Sequence, residues 1–465
     1  MGDRNKTGNN YRTETDSMGE VRVPIRALYG PQTQRAVENF TIYDQPLPWV
    51  FIQALLLIKQ SAAIANNELG VLSSLQSKAI VECAVELRVC RPEGQFPVSV
   101  FQTGSGTSSN MNVNEVISGL AMTKGIKLSA NDHVNLSQSS NDVIPTALHV
   151  ATAVETKKKL LPALKTLRGE LLTFADKHRD VIKTGRTHLM DALPVRLKAE
   201  VDCWAAQIKE CCERHESALV RLCRVPLGGT AVGSRVNCPP GFSDKTIGLI
   251  NEETGMFFSL APSLYKGISS LDTIVEYSGI LKTTAIALSK IANDLRWMNS
   301  GPLTGLAEIN LPALQPGSSI MPAKINPVIP EAVLMAAAQV IGNDTTINIA
   351  GLGGNFQLNT MLPLAASNIL QSLELLSGSA ISLADKVIPK ITVNHKNLRR
   401  SLSMNPILVT ALTPITGYMK AAEIGKIAAR EKRSVIEVAK ELTDISSDKL
   451  AQLLDPKNLA DWTSS

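Results

Sequence analysis

Aromatic residues make up only 4% of this sequence, and stretches that alternate apolar with polar residues, as half-buried strands do, are scarce. A core built from sheets is therefore not expected. Long apolar runs are missing too. Lys59 interrupts the stretch from Ala54 to Ile64, and nothing approaches the roughly 18 continuous apolar residues of a membrane span. The opening residues, Met1 to Asp16, are polar and charged, without the apolar centre of a secretory signal or the Arg-rich, acid-poor bias of a transit peptide. Charge of one sign is hardly in excess, since 47 Lys and Arg face 42 Asp and Glu for a net +5. With no basic tract or aromatic-interleaved basic stripe, nucleic acid is not an expected partner, and Lys157-Lys158-Lys159 reads as a solvated face near a helix start. The seven cysteines contain no CxxC pair, and the adjacent Cys211-Cys212 suits neither zinc spacing nor an easy disulfide. Reduced, mostly buried thiols in a cytoplasmic protein are expected.

What the chain does have is helical spacing. Leu281, Ala285, Leu288, Ala292 and Leu295 recur at alternating four- and three-residue steps, as do Ile369, Leu373, Leu376, Ala380 and Leu383. Leu164, Leu167, Leu171 and Phe174 begin a third seam. Each puts one apolar stripe on a long helix, to be buried against neighbouring helices in the same or another subunit. With 465 residues, 44% of them hydrophobic, the chain is long enough for more than one packed unit. The expectation is an all-α fold in three parts: a first domain over 1–138, a long-helix bundle over 139–391 and a small C-terminal unit over 392–465.

Segments rich in Gly, Ser, Asn and Pro separate the helices, and function concentrates in such connections. In Gly317 to Pro327, a glycine and a proline bound two hydroxyls, Lys324 and Asn326. That describes either a loop able to close over a carboxylate or a polar surface turn. Thr184 to Pro194 carries His188, one of only six histidines, between Thr187 and Asp191. A structural histidine competes there with an acid or base that titrates near neutrality. Thr103 to Asn110 could present N–H groups and hydroxyls to an anion or serve as a linker, and it is no Walker loop because no lysine follows in register. Ser137 to Asp142 precedes a helical run, so Ser139, Ser140 and Asn141 could cap that helix and favour a carboxylate at its N-terminus. Several polar loops with few charges suit a small dianion held by many hydrogen bonds.

Taken together, these loops resemble the fumarase/aspartase superfamily. The GSSxMPxKxNP pattern, its most specific signature, is complete over 317–327, and the likeness runs from Met18-Gly19-Glu20-Val21 to Gly417-Tyr418. Within the superfamily the sequence is most similar to the class II, iron-free fumarate hydratases. Aspartate ammonia-lyases usually have glutamine where His188 stands, and Gly354-Asn355-Phe356 also looks more like a fumarase. The resemblance implies a three-domain helical fold with a long central bundle shared in a tetrameric core, three subunits contributing to each active site, and no metal or organic cofactor. It implies that Ser318 removes the C3 proton of malate, that Lys324 and Asn326 bind the carboxylate gaining charge, and that His188, steadied by Glu331, positions water. Ser105, Gly106, Thr107, Ser139, Ser140, Asn141, Thr187 and Ser319 would hold the dicarboxylate. The sequence departs from the family pattern in three places. Ser129-Ala130-Asn131-Asp132 lacks the histidine of a segment that forms a second dicarboxylate site in some fumarases, which leaves that site open. Ala323 replaces a usual glycine and Gln357 a usual glutamate. An aspartate ammonia-lyase, or a structural paralogue without activity, stays as an alternative.

Overall fold

In a computed structural model describing residues 10–461, helices dominate and the strands form only two-stranded ribbons. Of the polar opening segment, Met1–Asn9 lies outside the described residues. The antiparallel ribbon β1 (Tyr11–Asp16) and β2 (Gly19–Pro24) comes first, with Tyr11 opposite Pro24. Then follow α1 (Pro31–Asn39), α2 (Trp49–Glu68), α3 (Ser74–Cys90), α4 (Thr107–Thr123), α5 (Ser140–Glu155) and α6 (Leu161–Lys177). A second ribbon, β3 (Ile182–Thr187) and β4 (Met190–Arg196), leads to α7 (Leu197–Leu222), α8 (Phe242–Thr254) and α9 (Leu264–Ser269). Three more long rods follow, α10 (Asp272–Met298), α11 (Val328–Gly351) and α12 (Leu362–Lys386). At 27 residues α10 is about 40 Å long.

Local chemistry sets the ends of these elements. Ser73 begins α3 and Ser139 begins α5 with reciprocal capping boxes, closed by Gln76 and Asp142. All three apolar seams are buried, in α6, α10 and α12. The triple lysine is solvent-exposed as expected, but it lies in a π-helical turn, Thr156–Leu160, joining α5 to α6, and not at a helix start. By length and hydropathy α2 could cross a membrane, although 72% of its apolar window is buried and Lys59 at its centre is fully covered.

Contacts divide the chain into two units whose boundaries fall within the long helices. The first comprises Met1–Pro162, Glu213–Ala285 and Ala338–Leu376. There α2 packs on α3, α5 and α8, burying Phe51, Leu55, Ile58, Ile80 and Leu148. The second comprises Ala163–Cys212, Ile286–Ala337 and Ser377–Ser465. Its C-terminal segment encloses its own apolar cluster around Leu408, Leu412, Ile424, Val438 and Leu450. Four of the seven cysteines, Cys83, Cys211, Cys212 and Cys223, are buried.

Candidate active site

The segment Thr184–Pro194, expected as a loop, is a β-hairpin. Thr187 pairs with Met190, leaving His188 and Leu189 as a two-residue turn with φ of 56° and 61°. Such a turn normally takes glycine or asparagine, so a histidine there is held in a strained conformation at an exposed tip. Gly185 and Pro194 suggested a break in structure. Yet Pro194 sits in the ladder opposite Thr184, and a Cβ at Gly185 would stand 2.6 Å from the Leu193 carbonyl oxygen. Behind the turn, the Arg186 guanidinium donates to both Glu308 oxygens at 2.6 and 2.8 Å. Lys183 Nζ lies 2.6 Å from Glu308 and 2.8 Å from Glu200. Burial alone would raise the Glu308 carboxyl. The hydrogen bonds from Arg186 and the charge of Lys183 outweigh it and hold Glu308 below the ordinary glutamate value.

The 317–327 segment is a strap closed at its base. Gly317 N–H donates to the Lys324 carbonyl at 2.9 Å, and Asn326 Nδ2 donates to the Gly317 carbonyl at 2.6 Å. Glycine is required at 317, since a Cβ there would meet Lys324 O at 2.1 Å. Ser318 Oγ accepts two backbone N–H groups, from Ile320 at 3.3 Å and Met321 at 3.0 Å. Ala323 has φ +69°, the left-handed region that the family's usual glycine adopts freely. Lys324, Asn326 and Glu331, the last in the first turn of α11, line one cavity of about 700 Å³ together with Arg296, Asn299 and Asn310. Ser318, Ser319, Thr187 and His188 stand outside that lining.

In the first unit the other expected groups come together. Ser105 Oγ and Thr107 Oγ1 are 2.8 Å apart, and Thr107 Oγ1 and Ser140 Oγ are 2.6 Å apart, a chain of three hydroxyls at the N-termini of α4 and α5. Gly106 precedes α4 at φ +76°, with Ile144 so near that a Cβ would lie 2.9 Å from it. Ser139 caps α5, and Asn141 Nδ2 donates to the Ala231 carbonyl at 2.7 Å. Below them the Asp142 carboxylate is fully buried and takes N–H groups from Ser139, Gly228 and Thr230. Asp142 carried a signal in its spacing, three residues after the Ser139 cap. Lys59 carried only a misleading one, as a break in an apolar run.

Ser129, Ala130, Asn131 and Asp132 border a separate cavity of about 950 Å³ that also presents Arg12, Arg26, Glu14, Asp16 and Glu115. Ser129 Oγ bonds Asp132 Oδ2 at 2.8 Å, and the following His133 turns its Nδ1 back to the Ser129 N–H at 3.0 Å. Among the described residues no group of three or more His, Cys, Asp or Glu is placed to hold a metal ion.

Comparison with known proteins places this architecture. A family described as "Lyase" matches residues 19–342, and "Fumarase C C-terminus" matches residues 408–461. A helical lyase is thus the class that fold and sequence define together. "Fumarate hydratase class II" of Xylella fastidiosa is 52% identical, with 97% of this chain and 96% of the relative covered. The protein of that name from Mycobacterium tuberculosis is 48% identical, with 92% and 90% covered. The crystal structure of class II fumarase from Schistosoma mansoni matches at a TM-score of 0.94 and 36% identity, covering 97% of this chain and 99% of that one. The chain belongs to the class II fumarate hydratase family.

Proposed function

We propose that this chain catalyses the reversible hydration of fumarate to (S)-malate, a step of the tricarboxylic acid cycle, and that the residues expected from the sequence carry it. The observation that carries this reading is Ser318 Oγ held by the Ile320 and Met321 N–H groups. Serine is ordinarily too weak a base for a carbon acid, and two preorganised donors favour its alkoxide. In the malate-to-fumarate direction, Ser318 alkoxide takes the C3 proton and becomes a hydroxyl. The electron pair spreads into the adjacent carboxylate as an aci-carboxylate, where Lys324 and Asn326 meet the new charge. The pair then forms the double bond as the C2 hydroxyl leaves with a proton from His188, so one water is released. Glu331 steadies His188. Ser105, Gly106, Thr107, Ser139, Ser140, Asn141, Thr187 and Ser319 grip the dicarboxylate.

These groups fall into a Ser105–Asn141 set and a Thr187–Glu331 set. We place them in composite sites of a homotetramer, each site drawing on several subunits. Exposed apolar side chains on long helices, among them Ile286, Trp297, Met335, Ile341 and Ile349, support such an assembly. A cytoplasmic location accords with the absence of any CxxC pair and with free thiols at Cys83 and Cys223. A small C-terminal domain from 392 accords with the separate apolar cluster there. The ultraviolet absorbance of fumarate tests the substrate. It is expected to rise when the protein meets (S)-malate and to stay flat with aspartate. A rise with aspartate alone would replace this reading with an ammonia-lyase, and a rise with neither substrate with a structural paralogue.

A further inference from the structure

Beneath the hydroxyls of the first unit lie two fully buried, oppositely charged side chains that the hydration chemistry does not use. Lys59 sits mid-way along the largely apolar α2, and its Nζ donates to Asn135 Oδ1 and Gln138 Oε1, both at 3.0 Å. Two more α2-anchored bonds hold the same turn: Asn66 Nδ2 donates to the Leu136 carbonyl at 3.0 Å, and Ser137 Oγ donates to Asn66 Oδ1 at 2.8 Å. Asp142 lies in the first turn of α5. One of its oxygens takes the Ser139 N–H at 3.0 Å, and the other takes those of Gly228 and Thr230 at 2.8 and 2.9 Å. The ammonium thus fixes the turn that delivers Ser139, Ser140 and Asn141. The carboxylate ties that turn to the 228–231 loop, and Asn141 closes the same junction through Ala231.

Burial works against both ionised forms. It pushes the Asp142 carboxyl up to about 6, although three backbone N–H groups and Lys59 oppose this, and it pulls the Lys59 ammonium down to about 7 against the charge of Asp142. Replacing buried ions with neutral groups of similar shape is often neutral or stabilising, so their contribution to stability alone is a poor account of this pair. What the pair does achieve is geometric, since every hydrogen bond named here ends on a residue flanking the substrate-gripping hydroxyls.

We propose that Lys59 and Asp142 are positioning residues for the dicarboxylate, fixing Ser139, Ser140 and Asn141 at the spacing that grips a substrate carboxylate. The proposal rests on the hydratase reading and adds to it the parts that set its binding geometry. The test uses the full-length protein and its Asp142→Asn, Lys59→Met and doubly substituted variants. It measures kcat and KM with (S)-malate, the Kd of the unreactive dicarboxylate succinate by calorimetry, and the urea midpoint. A misplacement of about 1 Å can lower efficiency by as much as 10²-fold. Each single variant is therefore expected to raise KM and succinate Kd about tenfold, with kcat within about threefold of the parent, the signature of lost binding geometry. The double variant is expected to be at least as resistant to urea as the parent while binding succinate weakly. Should Asp142→Asn fail to fold, Lys59→Met decides alone. Unchanged KM and Kd in folded variants would overturn the proposal, as would a loss of binding only in step with a loss of stability. A parent that neither dehydrates malate nor binds succinate would instead overturn the hydratase reading on which the proposal stands.

Discussion

Ser318, His188 and Ala323 each occupy a backbone setting that constrains what the side chain can do. Removing the Ser318 hydroxyl deletes the group that accepts the Ile320 and Met321 N–H donors, so Ser318→Ala is expected to abolish measurable turnover without shifting the urea midpoint. His188→Asn keeps a residue that tolerates the left-handed turn but removes the imidazole ring. Its turnover is expected to fall by about 10²–10⁴, the usual contribution of a general acid or base. Near-normal rates in that variant would move water activation to another group. At Ala323 the φ of +69° places an alanine where left-handed strain is about 1–2 kcal/mol. Ala323→Gly releases that strain but frees the unfolded chain by about 0.4–1 kcal/mol. A net stabilisation of at most about 1.6 kcal/mol is expected from urea titration, and a destabilised Ala323→Gly protein would show that the strap favours the alanine.

Among the elements, the β3–β4 hairpin depends most on a single buried cluster. Glu308 receives Arg186 and Lys183 together, and Glu308→Gln leaves both cations without their full counter-charge. Breaking a buried ion pair from one side typically destabilises by about 3–5 kcal/mol, and the lower end is expected here because Lys183 keeps Glu200. The carboxyl of Glu308 is held below its ordinary value of 4.5 in the fold. Its ionised form therefore stabilises the protein at pH above that value, and this contribution is lost as pH falls through the lowered one. Acid unfolding curves of Glu308→Gln are expected to be flatter than the parent's below about pH 4.5, and parallel curves would remove Glu308 from the acid response. The helices α6, α10 and α12 were legible in the sequence because a 3.6-residue period shows in a buried stripe. The hairpin was not. Its strands are short and polar, and Gly185 and Pro194 carry the marks of a loop although they serve as a bulge and a ladder position. Ser139 could be foreseen as a cap from local spacing, whereas Lys59 reaches Asn135 and Gln138 across more than seventy positions that only folding brings together.

At the scale of the whole molecule, the expected groups lie at helix starts, a hairpin tip and a strap separated by long rods, and repetition by closed symmetry would complete each site. Ser318→Ala and His188→Asn chains, unfolded together and co-refolded, are expected to regain activity above either variant alone, because some hybrid sites then hold both intact residues. Verified hybrids without recovery would put Ser318 and His188 of each site on one chain. The central claim, water added across the double bond of fumarate through Ser318, is tested most directly by proton NMR of the reaction in deuterium oxide. The protein is expected to convert fumarate to (S)-malate carrying one deuterium at a single C3 position, with no product from the Ser318→Ala variant. Absence of malate, or undiminished conversion by Ser318→Ala, would contradict it.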